Sequence, residues 1–441
     1  MRKPEVAPNS TDAIILGCGI SGLTAARELA ERGASVLVLE DYQTPGGNHI
    51  SKQIGPYSFD IGAIFFWSTS PMLELFPEAT KNWLPIELPI GRITPSRAVH
   101  RYPIDVRAEL LSLPRSRQLQ IAADVVYQRL FHRQRESVRD FALQHMGRRV
   151  FEDSGLELYI ERFYGRPADD IVYSFAERRM RWITKKTSLS IILADRIRAF
   201  RSRFGPPEPP LQCFARPKDG FPSMYQPAVK ELEKSGVEFV FDAGLSALKT
   251  VSGGFEVSGC KGRYRGARLL STIPLAVAGR LAELTDIEPP QSCSMITLFC
   301  RFRGERRFGY TVLYNFNRIG AWKRLTMHSD YYGQADGWEY FSVECNLTKG
   351  TSSPEKLFDD FRRSTCELGV LDGELELVGS TETDFAYPVL DAASVARRDT
   401  LMAALGAMGI EGFGRQGAFD YIASSNLAIE LAREALNKSS R

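Results

Sequence analysis

The stretch AIILGCGISGLTAARELAERGASVLVLE, Ala13 to Glu40, leaves the chain few ways to fold. Its opening apolar run, rich in branched residues, suits a buried parallel strand. Gly17 permits a tight turn, Gly19 lets a phosphate approach the backbone, and Gly22 lets the next helix pack close to the strand. Leu23, Ala26, Leu29 and Ala30 then recur at helical spacing, and Gly33 stops the helix. That helix would offer free N–H groups and a positive dipole end to a pyrophosphate, with Ser21 in its first turn. Glu40 closes the second strand about twenty positions on, where a carboxylate accepts hydrogen bonds from a ribose. The pattern predicts a dinucleotide site and, by itself, admits NAD or FAD.

At 441 residues the chain exceeds one ordinary core, so two domains are expected. The net charge of +3 is too small to argue for nucleic acid. No apolar run is long enough to span a bilayer, and MRKPEVAPNSTD lacks the apolar core of a secretory signal. The seven cysteines are scattered with no C-x-x-C pair, which argues against a disulfide framework or a metal site. A cytoplasmic protein is the expectation.

After Glu40 comes DYQTPGGNHISKQIGPYSFDIGAIFFW, with a second glycine pair at Gly46-Gly47 and FDIGA at Phe59 to Ala63. Further along stand RPKDGFPSMYQPAVKELEKSGVEFVFDAGLSAL (Arg216 to Leu248), LLSTIPLAVAGRL (Leu269 to Leu281), AYPVLD (Ala386 to Asp391) and GFGRQGAFDYIASSNLAIELAREAL (Gly412 to Leu436). In this order the segments resemble the flavoprotein superfamily of amine oxidases, protoporphyrinogen oxidases and UDP-galactopyranose mutases. The resemblance implies non-covalent FAD. It places Gly17, Gly19, Ser21 and Gly22 on the pyrophosphate, Glu40 on the adenosine ribose and Leu245 at the adenine. Gly46, Gly47 and Asn48 would line the flavin, with Gly414, Arg415, Asn426, Leu427 and Ala428 closing over it.

It also implies an α/β fold in which a Rossmann-like FAD domain is interleaved with a mixed α+β substrate domain. Residues 12–65, 215–290 and 383–441 would form the first, residues 66–214 and 291–382 the second, and residues 1–11 a loose tail. RAELLSLPRSRQLQIAADVVYQRLFHRQRESVRDFALQHMG has helical periodicity, so the first insert should be mainly helical. The aromatic, alternating run from Cys293 to Leu347 should be an antiparallel sheet. PPEPP (Pro206 to Pro210) reads as a stiff linker between the domains.

His49, directly after the glycine pair, is either a partner of the flavin ring or a loop histidine satisfied by backbone. YIERFYGRPADDI resembles a cavity-lining element of the mutase and protoporphyrinogen-oxidase branches, which singles out Arg162, Tyr164 and Arg166. AWKRLTMHSDYY resembles a mutase segment whose arginine reaches a diphosphate, with a histidine four residues later. Arg324 and His328 reproduce that spacing, and on a strand they would face one side. Arg415 would supply a third cation, since the planar guanidinium fork suits a diphosphate, and Tyr314 and Tyr421 could add hydroxyls. His49, Arg324 and His328 are thus the catalytic candidates. Arg162, Tyr164, Tyr314, Arg324, Arg415 and Tyr421 are the candidates for substrate binding.

Two functions follow from the resemblance. One is an FAD-dependent oxidoreductase acting on a small, anionic metabolite, with a place in glycan or nucleotide-sugar metabolism by analogy. The other is a mutase-like isomerase of a nucleotide sugar, working with reduced flavin. The chain departs from the mutase pattern at Phe419-Asp420-Tyr421, where a tyrosine-arginine-tyrosine run is expected, and at Ala423 to Asn426, where an acidic pair is expected. A non-catalytic flavoprotein is a third reading. Glu177 to Arg203 carries nine Lys or Arg against two acids. It reads as a solvated helix face, or as a basic rim for an anionic substrate or a membrane surface.

Overall fold

A computed structural model describes residues 10–180, 211–347 and 353–439. The basic stretch beyond Met180 and the PPEPP segment lie outside the described residues. So do residues 1–9.

Strand Ser10–Leu16 sits at the centre of a seven-stranded sheet, parallel to Val36–Leu39 on one side and Gly262–Ser271 on the other. Glu238–Val240 extends it in parallel beyond Val36–Leu39, and Ile410–Gly412 pairs in parallel with the end of Gly262–Ser271. The first half of Gly262–Ser271 carries an antiparallel meander, Gly254–Gly259 and Leu245–Val251. The central strand is buried on both faces, as a parallel strand must be when both are covered. Ala13 and Ile15 pack under helices Ile20–Glu31, Phe221–Lys234 and Ser425–Ser439. Ile14 and Leu16 face the opposite core, which reaches Leu275, Leu401 and the helical insert. The period of two therefore assigns alternate residues of one strand to two different cores.

A second seven-stranded sheet runs in the order Leu371–Pro388, Ser292–Arg306, Glu339–Leu347, Trp322–Met327, Val312–Asn315, Ile90–Ile93, Val99–Arg101. It is antiparallel except where Val312–Asn315 meets Ile90–Ile93. Helix Pro354–Glu367 covers one of its faces through Leu357 and Phe361. Strand Leu371–Pro388 continues past residue 382, the expected domain edge, because Pro388 still pairs with Ser292. A short sheet of Phe66–Trp67, Cys213–Ala215 and Leu84–Ile86 lies where the chain crosses between the two halves.

The insert is helical. Arg115–Phe131, Val138–Met146, Arg148–Asp153, Leu156–Tyr164 and Tyr173–Arg179 follow one another. Ser137 and Asp140 form a capping box at the start of Val138–Met146, satisfying two amides that the helix would otherwise leave without partners. No described helix is long and apolar enough to cross a membrane.

Candidate active site

Three glycine turns meet at the N-terminus of helix Ile20–Glu31. The helix begins at Gly19 with no side chain capping it, so its first N–H groups stay available. Gly47, at φ +58°, packs on Gly19 so closely that a Cβ would lie 3.1 Å from the Gly19 Cα. Gly414, at φ +76°, packs on Ser21, where a Cβ would lie 2.8 Å from Oγ. Only glycine meets both demands, positive φ and close approach. The Gly46 amide donates to the Cys18 carbonyl at 2.9 Å and ties the second turn to the first, with Asn48 half-buried beside it. Asn426, Leu427 and Ala428 lie in the first turn of Ser425–Ser439, which packs along Ile20–Glu31 and is pinned by Arg433 to Glu28 at 2.7 Å.

Glu40 is buried at the end of the second strand. Its carboxylate accepts from the Cys18 amide at 2.6 Å and the Tyr42 amide at 2.9 Å. Burial raises its pKa, against the pull of those backbone donors. The Leu245 amide donates to Asp41 at 2.9 Å, so the adenine candidate sits at the same end. A helix terminus open to phosphate, ringed by glycine, with a fixed carboxylate to one side, fits a dinucleotide. The cradle continues past the pyrophosphate to a second glycine turn and Arg415, which fits the longer FAD.

Beyond that turn lies His49, 2.6 Å from the Tyr225 hydroxyl and ringed by Phe66, Phe221 and Tyr225. Burial, and then the nearby Arg415 charge, push its pKa down to about 4, so the imidazole is neutral at pH 7. The Arg415 guanidinium lies over the rings of Tyr387 (5.0 Å) and Tyr421 (5.7 Å). Its Nε is buried with no hydrogen-bond partner among the described residues.

On the other side of Tyr387 stand Lys323 and Arg324. The Lys323 Nζ lies 4.3 Å from the Tyr387 ring centre and 4.6 Å from that of Phe163. Both cations share one carboxylate, Glu344: Lys323 at 3.2 Å, and Arg324 by a direct guanidinium ion pair. Arg324 also donates to the Tyr314 hydroxyl at 3.2 Å. Gly62, from the FDIGA segment, lies beside this pair: a Cβ there would be in ordinary contact, 3.5 Å from the Arg324 Nη2. Burial pushes the Tyr387 pKa up, but Lys323, Arg324 and Arg415 together pull it below its ordinary value. Two cations thus share one buried carboxylate and a third lies over the same tyrosine, while Phe163, beside Lys323, joins Tyr159 and Tyr164 in lining an apolar cavity.

The structure thus brings His49, Arg324, Arg415, Tyr314 and Tyr421 toward one place. It puts three other candidates elsewhere: Arg162, Arg166 and His328. Arg162 donates to the carbonyls of Asn315 (2.6 Å) and Asn317 (2.5 Å), and its burial lowers its pKa to about 10. On helix Leu156–Tyr164, Tyr159 and Phe163, one turn apart, line the cavity, whereas the Arg162 guanidinium is held by those two carbonyls. Arg166 is likewise engaged, with Asp391 at 3.2 Å and Gln291 at 2.6 Å.

His328 does not share a pocket with Arg324. Strand Trp322–Met327 ends one residue before it, and His328 already has helical dihedrals at the start of the turn Ser329–Tyr332, so strand alternation no longer applies. The ring is buried between the Tyr331 hydroxyl (2.6 Å) and the Ser342 hydroxyl (3.0 Å), and it accepts from the Asp60 amide at 3.3 Å. Burial, then Arg216, holds its pKa well below 6.5. Lys323, Glu344 and Tyr387 went unnamed in the sequence reading. Tyr387 lies in AYPVLD and Lys323 adjoins Arg324, so both had a signal; Glu344 had none.

The family model for the NAD(P)-binding Rossmann-like domain matches residues 15–78. A prolycopene isomerase of an Oncidium hybrid cultivar is 46% identical over 70 residues, 15% of this chain and 12% of that protein. This match therefore spans a small part of the relative's length. Among solved structures, reduced UDP-galactopyranose mutase superposes with a TM-score of 0.77 at 17% identity, over 98% of this chain and 96% of that one. Cyclohexylamine oxidase from Brevibacterium oxydans IH-35A superposes with a TM-score of 0.60 at 14% identity, over 98% and 100%. This chain therefore has the fold of these two solved structures, built on an NAD(P)-binding Rossmann-like domain.

Proposed function

We propose that the protein is an FAD-dependent oxidoreductase of a small anionic substrate. The observation that carries this reading is the surplus of positive charge around Tyr387 among the described residues: buried Lys323 and the partly buried Arg324 and Arg415 against Glu344. A buried cation without its counter-charge is costly, and an anionic ligand would remove that cost. Gly17, Gly19, Ser21 and Gly22 would hold the pyrophosphate of FAD, Glu40 its ribose and Leu245 its adenine. The first turn of Ser425–Ser439 and the Gly414-Arg415 turn would close over it. When bound, FAD supplies an acceptor for a hydride or electrons.

The chain's own residues supply the rest. Arg324 and Arg415 would grip the anion by paired N–H donors, and Lys323 as a point charge. Tyr387, with its phenol drawn toward ionisation, would hold or release a proton at Oη. Neutral His49 can take up a proton on its free ring nitrogen. The aromatic layer would exclude water from the reacting end of the substrate.

A mutase-like isomerisation is the second reading, favoured by the grouping of Arg324, Tyr387 and Arg415. Against it, Asp420 is turned away into an ion pair with Arg178, where the resemblance expects an arginine on the diphosphate. The two readings separate by flavin state. UDP-galactose is added to anaerobically reduced protein, and candidate anionic reductants to oxidised protein. Bleaching of the oxidised flavin by an anionic reductant is expected. Sugar turnover confined to the reduced protein, with no net redox change, would sink the oxidoreductase reading.

A further inference from the structure

Helix Arg115–Phe131 is mounted with its apolar side out. Seven of the eleven large apolar side chains exposed among the described residues lie between Leu111 and Phe131. Leu119, Val126, Tyr127 and Leu130 recur at helical spacing on one face, and with Phe131 they are between 56% and 71% exposed. The face toward the protein is the more polar one. Asp124 accepts from the Arg149 amide at 2.9 Å, Gln128 is buried, and Arg117 pairs with Asp153 at 2.6 Å. A surface helix normally shows the reverse, so a contiguous exposed apolar stripe marks a contact with something else.

Charge selects what that is. From Leu110 to Arg135 the chain carries five arginines and one acid, Asp124, whose carboxylate is engaged inward. Arg115, Arg129, Arg133 and Arg135 are exposed around the stripe and at its C-terminal end. A two-fold contact with a second copy would set these arginines against their own images. The stripe is also small for that purpose: a helix of this length offers a face of about 26 by 10 Å, roughly 300 Å², against about 800 Å² per partner in a stable interface. A lipid surface needs only the burial of one helix face, and anionic headgroups match the arginine fringe.

We propose that helix Arg115–Phe131 docks the protein on an anionic lipid surface, with Leu119, Val126, Tyr127 and Leu130 entering the headgroup boundary. The test is flotation of the FAD-loaded full chain with vesicles of equal parts phosphatidylcholine and phosphatidylglycerol, and with phosphatidylcholine alone. The protein should float with the mixed vesicles, and weakly or not at all with the neutral ones. Leu119→Asp/Val126→Asp/Leu130→Asp should cut binding at least about tenfold at unchanged FAD content. If the aspartates lower FAD content, the three corresponding glutamine substitutions replace them and the same loss is expected. The proposal is overturned if the wild type stays unbound on mixed vesicles, or if the triple variant floats equally well. It is overturned also if light scattering gives a two-chain mass that the triple variant halves.

Discussion

Two buried charge clusters lie two residues apart along the FDIGA segment, and they are built on opposite plans. At Asp60 the charges balance. Arg216 and Asp60 are both almost wholly buried and pair at 2.6 Å, and the remaining guanidinium donors reach the Ser58 hydroxyl and the carbonyls of Phe59, Pro217 and Lys218. At Gly62 they do not balance, since among the described residues Lys323, Arg324 and the nearby Arg415 have one carboxylate partner, Glu344. Each cluster has a histidine kept neutral by burial and then by an arginine, His328 in the first and His49 in the second. A balanced, fully bonded cluster fixes the β-hairpin Ser51–Asp60 to the rest of the protein. On the function proposed above, an anionic ligand would complete the unbalanced one.

The contrast can be broken most directly at Asp60. Asp60→Asn leaves Arg216 buried without a counter-charge, and urea unfolding should show a loss of about 3–5 kcal/mol. A loss well under that would mean the pair is not what holds the hairpin.

The histidines give the next effect. A histidine whose folded pKa lies below its unfolded value contributes stability fully above the unfolded pKa, near 6.5, and loses it as pH falls toward the folded value. For His49 the window runs from about 6.5 down to about 4, and up to about 3 kcal/mol is at stake. Unfolding free energies across that range should fall with acid, and His49→Gln should flatten the slope. An equal slope in the variant would assign the acid limb to His328 and other groups.

At the unbalanced cluster the effects should appear in binding. Arg324→Ala leaves Lys323 facing Glu344, so folding and FAD content should hold. Calorimetry with a diphosphate-bearing ligand should show affinity about thirtyfold lower. Normal binding by this variant would remove the anion pocket. The smallest effect is expected from Lys323→Met, which lowers the charge surplus. Its stability should move by less than about 1 kcal/mol in either direction. A loss as large as that of Asp60→Asn would show the second cluster to be structural as well.

The dinucleotide end was legible because its requirements are local. Positive φ and backbone contact admit glycine alone, so Gly47 and Gly414 announce themselves in any chain that must close in this way. The substrate end was only half legible, because it depends on register. Arg324 stands opposite Glu344 across two antiparallel strands, after a bulge that no residue in AWKRLTMHSDYY announces. The early strand end, with His328 already in helical backbone, carried that ring out of the pocket its spacing promised. Periodicity likewise gave a helix at Arg115–Phe131. It could not say which face would turn inward, since partners elsewhere in the chain decide that.

The order of strands in the first sheet has a consequence for how the protein is made. Ser10–Leu16 waits for Gly262–Ser271 as its neighbour, and that strand waits in turn for Ile410–Gly412. A chain emerging from the ribosome therefore presents an open, apolar strand edge until Gly262–Ser271 has been made. The turn at Gly414 and the helix behind it follow every other part of the nucleotide cradle in the chain, so the cradle cannot close before they emerge. Loading of FAD waits for that segment, and the interval before it is when the nascent chain most needs a chaperone.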